Sequence, residues 1–403
     1  MAQLSFDDLL SGEFTPETED DWEFLRSASQ RIFKPKSPID DDKLFSGRLR
    51  QIRDVLDTVY EDGGHAVIFG ERGVGKTSLA KIVERKIAPI ISSLRVTHVS
   101  CGSNDDFSTV WGNAFNNFSL NKEEPADYFR KKSNPYAIYN ALEELDKSTY
   151  NLFVFDEFDR IRDQDTLTMM GDLIKHFSNN PINITIIVVG VGDTLIELFG
   201  SHESISRCCT QIRMPRMTAD ELKEILDERI PRIGFELSEQ VENGIIKLSQ
   251  GMLGYVHLLG QLTLNAAISR KSRLLENVDF RSALSLALDK SDYQTRREYN
   301  LAISSANKDN KYKEVLLACA VAKSNEMGQF YAGDVREPYS RIRGKKMKIP
   351  NYATNLGNLC LPERGPALIK SGRPKRYQYR FANPLLQPLT IMIGVHDDMI
   401  PLD

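Results

Sequence analysis

The chain has 403 residues, 41% hydrophobic and 27% charged, which predicts two to three domains with enough apolar chain to bury a core. No apolar run approaches the ~20 residues of a membrane helix, and the acidic start excludes a secretory signal. Five cysteines without a C-x-x-C pair exclude a disulfide framework, so a cytoplasmic protein with reduced thiols and no membrane partner is expected. The net charge of −4 averages over opposite regions: residues 1–24 hold eight acids and no Lys or Arg, whereas residues 341–380 hold eleven bases and one acid. That basic region points towards nucleic acid or an acidic partner.

Residues 1–43, acidic and punctuated by Pro16, Pro35 and Pro38, predict an extended, disordered arm. Order is expected from Leu44, with Ile52, Val55, Leu56 and Val59 on one helical face. Residues 44–216 alternate apolar runs at 65–70, 95–100, 151–155, 184–191 and 210–214 with helical stretches. That alternation predicts an α/β core with a parallel sheet covered on both faces.

The most informative stretch is Gly70-Glu71-Arg72-Gly73-Val74-Gly75-Lys76-Thr77, which matches G-x-x-x-x-G-K-[ST] between the strand at 65–70 and a helix opening at Ser78. Strand, glycine-rich turn and helix are the context of a P-loop. Gly73 and Gly75 let backbone N–H groups converge on phosphate oxygens, aided by the positive end of the helix. Lys76 would reach the β- and γ-phosphates of ATP, and the Thr77 hydroxyl would ligate Mg²⁺. The strand at 151–155 ends in Asp156-Glu157. An acid there holds Mg²⁺, and its neighbour is placed to polarise an attacking water. Asp156 is therefore assigned to the metal and Glu157 to the base; the blander alternative is that Asp156 to Asp159 cap a helix. Asp159 and Arg160 are read as surface residues of the next turn.

Beyond Met217 the pattern changes. Thr218-Ala219-Asp220-Glu221 is a capping box opening a helix. Helical stretches follow at about 238–250, 254–270 and 276–305 without a strand candidate, so 217–305 is expected to be all-helical. Residues 306–403 predict helices at 311–323, 332–341 and 350–359. Two strands around Ser371-Gly372-Arg373-Pro374 complete a hairpin, the parts list of a winged helix. Lys345, Lys346 and Lys348 precede the third helix, and Arg373, Lys375 and Arg376 lie at the hairpin tip. Asn351, Tyr352, Thr354 and Asn355 are placed to reach base edges, with Asn351 equally a helix cap.

The order of these parts resembles the AAA+ ATPases, specifically the initiator-type branch related to origin-recognition proteins, over about Leu44 to Gly394. The resemblance implies an α/β P-loop core with a parallel sheet, an all-helical lid and a C-terminal winged-helix domain. Phe45-Ser46-Gly47-Arg48 is similar to an F-x-G-R element beside the adenine, so Arg48 joins the nucleotide-binding set with residues 70–78, Ser78 included. The sensor-one position falls on Asp193 or Thr194. Ser206-Arg207 resembles a trans-acting finger, which makes Arg207 a candidate alongside a plain surface role, with Arg213 and Arg216 as competitors. Gly251 to Gly260 contains no arginine; Gly254-Tyr255-Val256-His257 there is more like a segment of signal-transduction ATPases, with His257 either near nucleotide or in the core. The resemblance implies a slowly hydrolysing ATPase switch, a homo-oligomer that couples nucleotide state to DNA binding. The alternative is a signalling or antiphage-defence ATPase whose winged helix binds a protein effector.

Overall fold

A computed structural model describes residues 14–35, 47–117, 133–145, 147–192, 194–200, 205–305, 311–374 and 376–401. The chain divides into two compact units: residues 38–71 with 75–214, and residues 1–37 with 72–74 and 215–403.

The first unit is built on five strands, β1 (His65–Gly70), β2 (Leu94–Ser100), β3 (Tyr150–Asp156), β4 (Ile184–Val191) and β5 (Cys209–Met214). Every pairing is parallel and the order is β2-β3-β4-β1-β5. All six residues of β1 and seven of eight in β4 are buried, while β2 and β5 expose alternate residues. The continuous apolar runs are thus the central strands, covered on both faces, and the broken ones are edges. On one face Val67, Phe69, Phe153, Phe155, Ile186 and Val188 join a core with Trp111 and Phe177. Trp111 packs its ring 5.4 Å from Phe153 and 5.1 Å from Phe155. Because all strands run the same way, their carboxyl ends, and the loops that follow, lie along one edge of the sheet.

The second unit corrects the expectation of a disordered arm. Residues Glu19–Ile32 form a helix opened by a Thr18/Asp21 capping box. The acids that suggested disorder, Glu19, Asp20 and Asp21, occupy its first turn, where the helix dipole favours negative charge. Leu25, Ile32 and Phe33 are fully buried. Arg229 Nη1 donates to the Ile32 carbonyl at 2.6 Å and Gln261 Nε2 to the Phe33 carbonyl at 3.0 Å. Gly260 is small where it must be: a Cβ there would lie 2.8 Å from the Phe33 ring.

Helices follow at Ala219–Arg229, Glu239–Ser249 and Leu253–Ser269, the first with its predicted Thr218/Glu221 box. Two expectations change here. The stretch at 276–305 is two helices, Asn277–Asp289 and Tyr293–Ile303, because Asp292 accepts from the Thr295 N–H and starts a new one. A two-residue parallel bridge, β6 (Glu236–Leu237) to β7 (Leu274–Leu275), interrupts the all-helical reading. The C-terminal part runs helix Tyr312–Ala320, β8 (Phe330–Tyr331), helices Arg336–Ile342 and Ala353–Asn358, hairpin β9 (Leu368–Arg373) and β10 (Arg376–Phe381), and helix Leu386–His396. The three strands form an antiparallel sheet in the order β8-β10-β9. β8 was not foreseen, since two residues carry no alternation. Among the described residues, no helix is long and apolar enough to cross a membrane.

Candidate nucleotide site

Gly70 closes β1 against β5, where a Cβ would lie 2.3 Å from the Met214 carbonyl oxygen. Gly73 and Gly75 take φ of 87° and 94°, left-handed values that a side chain would strain. Gly75 then caps helix Lys76–Ile87 and, being glycine, brings no side chain of its own to the first amides. Those amides are the donors a phosphate would meet. Lys76 is buried, and its Nζ donates to the carbonyls of Gly70 at 3.0 Å and Glu71 at 2.8 Å. The ammonium is thus folded back over the turn. The side chains of Glu71, Val74 and Ser78 are buried, Thr77 is half-buried, and Arg72 is exposed. The loop therefore offers backbone N–H groups, one ammonium and one hydroxyl, a set that fits a polyphosphate.

Asp156 ends β3 on the same sheet edge, two strands from β1. Its Oδ1 accepts from the Glu157 N–H at 2.8 Å. Glu157 itself sits at φ 55°, a left-handed conformation uncommon for a side-chain-bearing residue and typical of functional turns. Its Oε2 accepts from Arg160 Nη1 at 2.6 Å and from Ser100 Oγ, at the end of β2, at 3.3 Å. The helix-cap alternative fails, because the short turn Phe158–Arg160 carries no side-chain cap bond. Asp159 and Arg160 are exposed on that turn, as expected, and Asp159 Oδ1 also accepts from the Val191 N–H at 2.7 Å at the end of β4. Burial, with the carboxylates of Asp105, Asp156, Glu157 and Asp159, pushes the Cys101 thiol up to about 12. This strand edge is rich in negative charge. A Thr hydroxyl and a carboxylate are hard oxygen donors, and Thr77 and Asp156 fit Mg²⁺ in chemistry.

Residues 59–199 match the family described as AAA domain. No curated protein matches the chain in sequence. Its fold is similar to that of the Aeropyrum pernix ORC2 protein in ADPNP–ADP complexes, at 16% identity over 92% of this chain and 98% of that one, with a TM-score of 0.51. It is also similar to Cdc6p of Pyrobaculum aerophilum (16% identity, 92% and 99% covered, TM-score 0.50). A Walker-type ATPase of Pyrococcus abyssi matches at 16% identity, 88% and 98% covered, with a TM-score of 0.56. The chain thus shares the fold of these proteins, and what it does with that fold rests on its own residues.

The remaining sequence candidates separate. Arg207 is exposed on the short helix Ile205–Cys208, and Arg213 is exposed on β5. Arg216 is buried and donates to Gln387 Oε1 at 2.6 Å, so it is withdrawn from any role on a neighbouring subunit. His257 is a core residue: it is fully buried, Arg229 Nη1 lies 2.9 Å from its Nδ1, and the Phe33 ring packs 5.9 Å away. That removes the nucleotide reading of His257. Arg48 is buried at φ 59° before helix Leu49–Tyr60. Asp193, Lys375, Phe45 and Ser46 lie outside the described residues.

Lys345, Lys346, Lys348, Arg373 and Arg376 are all exposed. Tyr352 is not available to a base edge, since it is fully buried with its hydroxyl donating to the Ala332 carbonyl at 2.7 Å. Asn351 does not cap the third helix, whose N-cap is Tyr352; its Oδ1 accepts from the Lys348 N–H at 2.7 Å within the short turn Ile349–Asn351. Sequence reasoning missed Ser100 and Arg160 as partners of Glu157. The i, i+3 spacing of Glu157 and Arg160 was the available signal for one; nothing local marked Ser100.

Proposed function

We propose that this chain is an ATP-driven switch: it binds ATP with Mg²⁺, hydrolyses it slowly, assembles with copies of itself, and couples that cycle to DNA binding through its C-terminal domain, read as a winged helix. The observation that carries the reading is the meeting at one sheet edge of a buried Lys76 in a glycine turn with the Asp156/Glu157 pair. Lys76 and the helix amides bind phosphate, while Thr77 and Asp156 would hold Mg²⁺, which neutralises phosphate charge when bound. Glu157 orients the attacking water once its carboxylate leaves Arg160. That tie, and the lack of an arginine in residues 251–260, favour slow turnover. Arg207, exposed beside the AAA core, is the finger proposed to act on a neighbouring subunit's nucleotide.

Support for DNA comes from five exposed bases, Lys345, Lys346, Lys348, Arg373 and Arg376, in a stretch with a single acid. Such bases supply phosphate contacts without naming a sequence. The test is anisotropy with an arbitrary duplex at two salt concentrations. Binding should weaken steeply with salt, by a log–log slope of about −0.9 per phosphate contacted. Changing Arg373, Lys375 and Arg376 to Glu should weaken and flatten it while ATP binding stays intact. If the wild type binds no duplex at low salt, with or without ATP, the duplex reading falls and a protein effector takes its place.

A further inference from the structure

The antiparallel register sorts the C-terminal sheet into two faces. Phe330, Leu368, Tyr379 and Phe381 are buried on the inner one. Tyr331 pairs with Gln378 and Gln378 with Ser371, Arg376 pairs with Arg373, and Arg380 with Ile369. Paired residues in an antiparallel sheet share a face, so Tyr331, Gln378, Ser371, Ile369 and three arginines stand together on the outer one. Tyr331 is 50% exposed, and Gln378 Nε2 donates to its hydroxyl at 3.0 Å, which fixes the ring on the sheet.

Two features of this face call for a ligand. Arg373 and Arg376 are exposed and directly opposed across the hairpin, an arrangement that costs stability in the free protein. An anion between them reverses the sign of that cost. No Asp or Glu occurs from Gly365 to Asn383, and the nearby Asp334 is engaged, its Oδ2 accepting from the Tyr331 N–H at 2.7 Å. The second feature is the flat, pinned, half-exposed ring within a basic surface. Bases stack on such rings and on guanidinium planes when their faces are open. A duplex hides its base faces and would leave the ring unused.

We infer that this outer sheet face binds single-stranded nucleic acid, one base stacking on Tyr331 and the phosphates running along Arg373, Arg376 and Arg380. The inference rests on the reading of the C-terminal domain as a nucleic-acid binder and names the form of the ligand. Strand rise puts Arg376 and Arg380 about 14 Å apart, room for a backbone to track the strand. The shared chemistry is that of DNA and RNA single strands; the 2′-hydroxyl separates the two.

The experiment is anisotropy with the full chain and labelled oligo-dT, oligo-rU and a duplex, each of about 15 units. Tyr331→Ala should weaken single-strand binding roughly 5- to 150-fold, while Tyr331→Phe, which keeps the ring, stays near wild type. Duplex binding should change less than about twofold in both variants. Preference for oligo-dT or oligo-rU names the source. The inference is overturned if wild type binds neither single strand at low salt, if Tyr331→Ala binds within about twofold of wild type, or if Tyr331→Ala loses single strand and duplex alike. Duplex binding without any effect of Tyr331→Ala leaves the proposed function standing and removes only this inference. Single-strand binding that depends on Tyr331, without duplex binding, does the reverse.

Discussion

Lys76→Ala tests the nucleotide site at its most constrained atom. The Lys76 ammonium is buried and spends its hydrogen bonds on the Gly70 and Glu71 carbonyls at 3.0 and 2.8 Å. A phosphate charge ~4 Å away attracts it by about 4 kcal/mol at an effective dielectric of ~20. Part of that is offset, because each charged hydrogen bond already made is worth ~1.5–3 kcal/mol and one must be shared or released. The net loss expected is ~2–3 kcal/mol, or ATP binding about 30- to 150-fold weaker. The fold should be little affected, since alanine suits the first turn of a helix and the lost ammonium takes its own desolvation cost with it. Calorimetric titration with ATP and Mg²⁺ reads the affinity, and thermal unfolding of the same samples checks the fold. A folded Lys76→Ala protein that binds ATP within about twofold of wild type would refute the P-loop assignment.

Glu157→Gln should keep ATP affinity but lose ~10²–10⁴ in turnover, since a positioned base is removed; unchanged hydrolysis would pass the role to Asp193. Mixing inactive Arg207→Ala with inactive Glu157→Gln should restore activity if the finger works across a subunit boundary, and no recovery at any ratio would leave Arg207 a surface residue. Acid should destabilise the unit holding the sheet. His65 is buried, its Nδ1 accepts from the Ile186 N–H at 3.0 Å and its Nε2 is buried with no partner among the described residues, so burial lowers its pKa to about 4. With the folded value below the unfolded one, the unfolded chain takes the proton first. Stability is complete above ~6.5 and is lost as pH falls towards ~4, by roughly 2 kcal/mol between pH 7 and 5. Urea unfolding followed by Trp111 emission, with Trp22 replaced by Phe so that Trp111 alone reports, at the two pH values measures it, and equal stability at both would contradict the reasoning.

The α/β core was legible because its information is local. A glycine turn between a strand and a helix, or two acids at a strand end, states its own geometry within a few residues. The central strands announced themselves as unbroken apolar runs, and the Thr218/Glu221 box marked its helix directly. Where the reading missed, the deciding partner lay far away in the chain. The helix Glu19–Ile32 looks disordered by charge, and its order comes from Arg229 and Gln261, about two hundred residues on. His257 and Arg216 looked chemical and are structural, because Arg229, Phe33 and Gln387 enclose them.

By itself, then, the sequence determined the glycine turn, the acid pair, the parallel sheet and the basic C-terminal stretch, since each follows from backbone sterics, periodicity or charge over short spans. Only the tertiary structure decided that Glu157 is held by Arg160 and Ser100, that Asp159 secures β4, and that Tyr352 is buried while Tyr331 is exposed. Strand pairing alone put Tyr331, Gln378 and the three arginines on one face. The physical reason is that side-chain burial and pairing depend on which elements pack together, and residues brought together from opposite ends of a chain leave no periodic mark in it.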